Sequence, residues 1–392
     1  KAVKQDLQRK GLYSKAGDFL EASGKLAVLL YKEEIERAMK TKKFSGFQLL
    51  DLHDFPGQGT ALVGLLDAFW DSKGLIEPSV FRQFCAPVVP LARFAKATYS
   101  GDETFAASIE VANYSDTAID NKRILWQLAD EAGTQISNGR LDVESISKGN
   151  VTQCGDIRAE LKSVCKASRL YFTVSIEGTQ WKNTWSVWVY PHIESLNVGD
   201  VLLTQNVEEA LAALNQGRKV LLSPKVNYLK GLEGKFLPVF WSPVHFPKQA
   251  GTMGLLCNPR HVALRHFPTE MHSNWQWWNL VKRSKVLVAD SLPPVEPIVE
   301  SVDNFTNNRK LVSVFETRCG KGKLIVSAMD ILSEGSDKPE IQQMLYSLVT
   351  YMNSESFAPR TVLGEDDIRS LILKNEGKVI ETKATSIYRG LD

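Results

Sequence analysis

The order of hydrophobic and polar positions changes character twice along the 392 residues, which predicts three units. In the first, Lys1 to Lys10 reads as a helical approach, and from Ser14 to about Lys40 the positions Phe19, Leu26, Leu29, Leu30, Ile35 and Met39 recur mostly at steps of three and four. That spacing predicts a long amphipathic helix with Ser14 as N-cap and Arg37, Lys40, Lys42 and Lys43 around its C-terminal end. The run Phe47 to Leu52 is too apolar for a half-solvated strand and predicts a parallel strand covered on both faces. Ala61 to Phe69 reads as a helical or irregular return, and Phe81 to Leu91, with Pro87 and Pro90, closes the unit.

Between about Ala92 and Pro191 the period becomes two. Thr104–Ala112, Arg123–Ala129, Arg169–Ile176 and Trp181–Tyr190 alternate apolar with polar residues, separated by turn-like clusters at Asn113–Asp116 and Glu131–Thr134. Short strands at this spacing predict an immunoglobulin-like β-sandwich, with most of Trp181, Trp185 and Trp188 in its core. From Gly199 strands and helices alternate: strands at Asp200–Thr204, Lys219–Leu222, Lys285–Asp290, Leu311–Glu316 and Gly322–Ala328, helices at Val207–Gln216 and Pro339–Met352. That rhythm predicts a doubly wound, flavodoxin-like α/β domain with a largely parallel sheet. The expected division is 1–90, 91–195, 196–356, and 357–392 as linker and start of a further domain, consistent with roughly 150 residues per domain.

Composition narrows the function classes. With 47 basic against 45 acidic residues the net charge is +2, and no basic run marks a nucleic-acid or anionic-membrane surface. No stretch approaches 18 consecutive apolar residues, so no membrane span is expected. Five cysteines without CxxC spacing give no zinc-ribbon or thioredoxin-like motif; a Cys154–Cys165 bridge is conceivable but not required. The six histidines show no metal-ligand spacing, and neither a metal nor a cofactor is expected. Asn113, Asn150 and Asn304 head N-glycosylation triplets, short patterns that also arise by chance.

The candidate site is the polar, glycine-rich loop after the Phe47–Leu52 run, which offers Asp51, His53, Asp54 and Gln58 together. Carboxylates, an imidazole and an amide at a barrel mouth suit hydroxyls of a neutral polyhydroxylated ligand. The competing reading is that Asp51 and Asp54 cap amides of their own loop. A second cluster, His272 to Trp278, could stack on a pyranose ring, but burial of at least two of its three tryptophans is the stronger expectation. Cys257 and Cys319 lack the strained turn between glycines that a nucleophilic cysteine needs, so glutamine hydrolysis is disfavoured.

The segment Gly46–Gly59, with the helix before it and Thr60 to Gly74 after it, resembles the end of the catalytic (β/α)8 barrel of family 2 glycoside hydrolases, the β-galactosidase and β-glucuronidase relatives. The resemblance implies that the apolar run is barrel strand eight and that Asp51, His53, Asp54 and Gln58 face substrate. It also implies that the acid/base and nucleophilic Glu residues, at the ends of strands four and seven, lie before Lys1. No catalytic residue is therefore expected in this chain, which reads as an internal piece of a longer, large bacterial-type enzyme. Leu50 departs from the pattern, since relatives often carry Trp there. An immunoglobulin-like sandwich commonly follows the barrel in this family, and the last unit is similar to the flavodoxin-like domain of class I amidotransferases. The implied function is a β-galactosidase-like hydrolase of terminal O-glycosidic bonds, with a carbohydrate substrate, no nucleic-acid or membrane partner, a homo-oligomer allowed, and a periplasmic or secreted location. The alternative is a non-catalytic carbohydrate-binding or assembly module.

Overall fold

The structure, a computed structural model, describes residues 2–44, 46–55, 57, 62–233, 252–333, 335 and 337–373. It is mixed α/β and mostly β-sheet, and it divides into two units. Lys1–Leu26, Gly57–Leu62 and Ile193–Asp392 form an α/β unit; Ala27–Pro56 and Val63–His192 form a sandwich unit. Two helices open the chain, α1 (Ala2–Arg9) and α2 (Ala16–Met39), and a short α3 (Pro78–Phe81) follows. Among the described residues before Val88 there is no named strand. The expected barrel strand is thus absent: Phe47 to Leu52 is irregular, with Phe47 41% and Leu50 56% exposed. A parallel strand exists only where neighbouring strands take its N–H and C=O groups, and no described strand lies beside this run.

The sandwich unit is built from β1 (Val88–Arg93), β2 (Thr98–Ser100), β3 (Thr104–Asn113), β4 (Ile119–Asp130), β5 (Gln135–Ile146), β6 (Asn150–Glu160), β7 (Ser168–Ile176) and β8 (Lys182–Tyr190). One sheet has the order β1-β3-β6, the other β2-β8-β7-β4-β5, with β2 parallel to β8 and the remaining pairs antiparallel. Alternate residues of both sheets share one core. At its centre Phe105 meets Phe172 with ring centroids 4.9 Å apart, and Phe172 meets Trp185 at 5.7 Å. Each such side chain contributes about 2–3 kcal/mol by burial, and each aromatic pair about 1 kcal/mol more. Strand β1 runs through residue 90, where a domain boundary was expected; Pro90 is tolerated because β1 is an edge strand.

The part of α2 that belongs to this unit packs Ile35 and Met39 against Phe84, Val89, Leu91 and Val151. Beside that apolar contact sits a buried charge. Glu36 accepts hydrogen bonds from Lys32 Nζ at 2.6 Å, Asn183 Nδ2 at 2.8 Å and Trp185 Nε1 at 2.9 Å. Lys32 also donates to Asn183 Oδ1 and lies about 5 Å from the ring centres of Phe84 and Trp185. Both carboxylate oxygens thereby accept hydrogen bonds, as a buried carboxylate requires.

The α/β unit contains β9 (Val201–Thr204), α4 (Val207–Asn215), β10 (Lys219–Leu222), β11 (Leu232–Glu233), β12 (Thr252–Cys257), α5 (Trp278–Lys282), β13 (Lys285–Val288), β14 (Glu296–Asp303), β15 (Leu311–Cys319), β16 (Gly322–Ser327), α6 (Pro339–Met352) and α7 (Glu365–Ile372). Its sheet runs β11-β13-β15-β16-β10-β9, and β14 joins β15 to β12. Asn206 starts α4 by accepting from the N–H groups of Glu208 and Glu209, and that helix carries the chain from β9 to its parallel neighbour β10.

The largely parallel, flavodoxin-like sheet is not found. Among the described strands only β9, β10 and β16 are mutually parallel; β11 to β15 pair antiparallel. The reason is the connection between β15 and β16, where Gly320 (φ +58°) and Lys321 alone turn the chain. Two residues close a hairpin, whereas a parallel crossover needs a dozen or more. Leu363, Ile368 and Leu371 belong to the same core as Leu214, Phe315 and Leu324, so the described part of 357–373 is integral to this unit.

Candidate functional site

The loop that sequence reading singled out is held by three short passes of chain laid side by side. Leu52 C=O accepts from the N–H groups of Leu65 and Leu66, and Leu66 C=O accepts from Asp54 N–H at 3.0 Å. His53 and Leu66 form a parallel bridge, and Leu66 bridges Ser72 in the antiparallel sense. The passes can approach this closely because residue 64 is glycine: a Cβ there would stand 2.2 Å from the carbonyl carbon of His53.

The four expected residues have different fates. Asp54 is buried; its carboxylate accepts from Gly64 N–H at 3.0 Å and from Lys73 Nζ at 2.6 Å, and Lys73 also donates to Gly64 C=O. It ties the second and third passes to the first. His53 is half-buried, with Nδ1 2.7 Å from Asp54 C=O and its ring 4.3 Å from that of Trp70. Asp51 is half-buried and has no hydrogen bond among the described residues. Gln58 lies outside the described residues.

Three further groups shape this surface. Tyr31, from α2, donates to Val63 C=O at 2.7 Å. Burial pushes its phenol up, and the negative charges of Asp51 and Asp54 push it further. Asp67 accepts from the N–H groups of Phe69 and Asp71, closing a tight turn that thrusts Phe69 (84% exposed) and Trp70 (61% exposed) into solvent. Trp70 sits at φ +71°, a left-handed conformation that costs a residue with a Cβ about 1 kcal/mol. The sequence carried a signal for it: Asp67-Ala-Phe-Trp-Asp71 is an Asx-turn pattern with two aromatics at its tip.

Of the second cluster, Trp277 is fully buried, edge-on to Phe267 at 5.0 Å and donating to Thr269 Oγ1, while Trp275 and Trp278 are half-buried. It anchors the α/β unit. Cys257 is also buried there, burial pushing its thiol far up and out of reach of nucleophilic chemistry. Cys154 and Cys165 are both free thiols. Among the described residues no three His, Cys, Asp or Glu side chains converge as metal ligands, and no helix is long and apolar enough to cross a membrane.

A family described as a domain of unknown function, DUF8487, matches residues 201–373, and a second, DUF8488, matches residues 103–191. The chain matches no curated protein. Among solved structures it is similar to a CARDB domain from Pyrococcus furiosus, at 8% identity over 27% of this chain and 94% of that one, with a TM-score of 0.21. It is similar to a β-glucuronidase of glycoside hydrolase family 2 at 10% identity over 28% of this chain and 12% of that one, TM-score 0.20. A family 123 glycoside hydrolase from Clostridium perfringens matches at 8% identity over 32% of each chain, TM-score 0.20. The last two are glycoside hydrolases matched over a minor part of their length.

Proposed function

We propose that the loop around Trp70 is a carbohydrate-binding surface, and that the chain serves a glycoside hydrolase acting on terminal O-glycosidic bonds, whose cleaving carboxylates are not assigned to this chain. The observation that carries the reading is the exposed Trp70 ring lying 4.3 Å from the ring of half-buried His53, with a second exposed aromatic, Phe69, next to Trp70 in the chain and the half-buried carboxylate of Asp51 two residues before His53. Aromatic faces take up the apolar side of a sugar ring while carboxylate and imidazole meet its hydroxyls, and the near-neutral net charge of +2 suits an uncharged ligand. The sequence resemblance of Gly46–Gly74 to the end of a family 2 barrel supports the same reading. In it Asp51 and His53 touch the ligand, whereas Asp54 acts by holding the loop. Retaining glycosidases need two carboxyl groups about 5–5.5 Å apart across the scissile bond. The reading is tested by titrating the protein with β-linked galacto-, gluco- and manno-oligosaccharides under calorimetry and by assaying nitrophenyl β-glycosides. Binding without turnover is expected. A non-catalytic binding module gives the same result for this chain and differs only if a longer protein containing it also lacks turnover.

A further inference from the structure

A cleft of about 380 Å³ opens in the sandwich unit, lined by Glu33, Glu36 and Arg37 of α2 and Lys40 just after it, together with Arg93 and Trp185. Its charge is unevenly distributed. The single buried carboxylate of Glu36 serves two ammonium groups, Lys32 at 2.6 Å and Lys40 at 3.4 Å. Lys32 takes the shorter bond and is enclosed by Phe84, Trp185 and Asn183. Lys40 keeps only the long one, so two of its three N–H groups have no partner among the described residues, although its side chain is only 16% exposed. At the rim, Arg37 reaches Glu33 and Glu34 only at 3.8 and 3.6 Å, beyond hydrogen-bond distance, and Arg93 is bound to Glu110. A half-buried ammonium short of counter-charge, beside a loosely paired guanidinium, attracts an anion more strongly than the same groups in open water would.

We propose that this cleft binds a small organic anion, a carboxylate or phosphate ester, held by Lys40 with Arg37 at the rim and its body against Trp185. The volume admits a group the size of one sugar ring. The site is separate from the Trp70 loop, and the proposal does not rest on the saccharide reading.

The test is a series of thermal melts of the full chain in sodium acetate, sodium gluconate or inorganic phosphate at constant ionic strength, with chloride as reference. A ligand that binds only the folded state raises Tm saturably. Lys40→Gln should weaken the apparent affinity about tenfold or more, since a charge-assisted hydrogen bond is lost. Arg37→Gln, at an exposed side chain, should weaken it several-fold and carries the test if Lys40→Gln does not fold. Lys148→Gln, at an exposed position outside the cleft, should leave it unchanged. A response to acetate and gluconate identifies a carboxylate ligand, and a response to phosphate alone a phosphate ester; either upholds the proposal. Tm values that follow chloride throughout, or shifts equal in wild type and the folded cleft variants, would overturn it.

Discussion

The indole N–H of Trp185 donates to Oε2 of Glu36 across 2.9 Å, inside the contact between α2 and the sandwich. Because the same carboxylate answers Lys32, Lys40, Asn183 and Trp185, removing it takes a bond from four donors and the counter-charge from two ammonium groups. Glu36→Ala should therefore lower stability by about 3–5 kcal/mol, the cost of breaking a buried ion pair from one side. Trp185→Phe, which removes one donor and keeps most of the ring, should cost about 1–2 kcal/mol. Urea unfolding of both variants checks the order; equal losses would mean that the carboxylate is not the centre of the contact.

Acid should find the same group. Burial alone would raise the Glu36 carboxyl, but the charges of Lys32 and Lys40 and the hydrogen bonds from Lys32 and Trp185 outweigh it and hold the group below its ordinary value of 4.5. A carboxyl lowered by folding stabilises the native state above its unfolded value, and that stability is lost as pH falls through the folded value. Tm measured from about pH 5 down to pH 3 should fall more steeply in wild type than in Glu36→Gln, which has no proton to take up there. Parallel curves would show that other carboxylates govern the acid limb.

The loop was legible in part. The polar cluster after the apolar run marks the irregular loop that holds Asp51, His53 and Asp54, but the run itself is not the strand that its composition predicts. Phe47 to Leu52 has the composition of a covered strand, yet composition does not supply the neighbouring strands that a strand needs, and Phe47 and Leu50 are exposed. Elements whose evidence is local were read closely: α6 spans Pro339–Met352 and β10 spans Lys219–Leu222, as periodicity and turn residues predict. Strands β5 and β6 escaped because many of their residues are polar and exposed, leaving little alternation to detect. Trp70 goes unmarked in the sequence reading because Ala61 to Phe69 is taken only as a helical or irregular return, whereas Asp67 sets a specific turn there.

Asp54 and Gly64 make a pair of predictions about loop shape. Asp54→Asn weakens the bond from Lys73 without changing size and should cost about 1–3 kcal/mol, because the half-buried ammonium of Lys73 is left without its counter-charge. Gly64→Ala places a methyl 2.2 Å from His53 backbone and forces the first two passes apart, so it should lower Tm and weaken saccharide binding together. Gly74→Ala, in open space at φ +69°, should cost only about 1 kcal/mol and spare binding. Differential scanning calorimetry with a binding titration on each variant separates the three.

The central claim, that Trp70 is exposed for a ligand, is tested most directly by Trp70→Gly. Glycine relieves the left-handed strain of about 1 kcal/mol, and the lost contact with His53 is worth about as much, so Tm should stay within a few degrees of wild type. Calorimetric titration with β-linked oligosaccharides should show binding to wild type and its loss in Trp70→Gly. Unchanged affinity in a folded Trp70→Gly, or no binding to the wild-type chain by any of the oligosaccharides, would contradict the account.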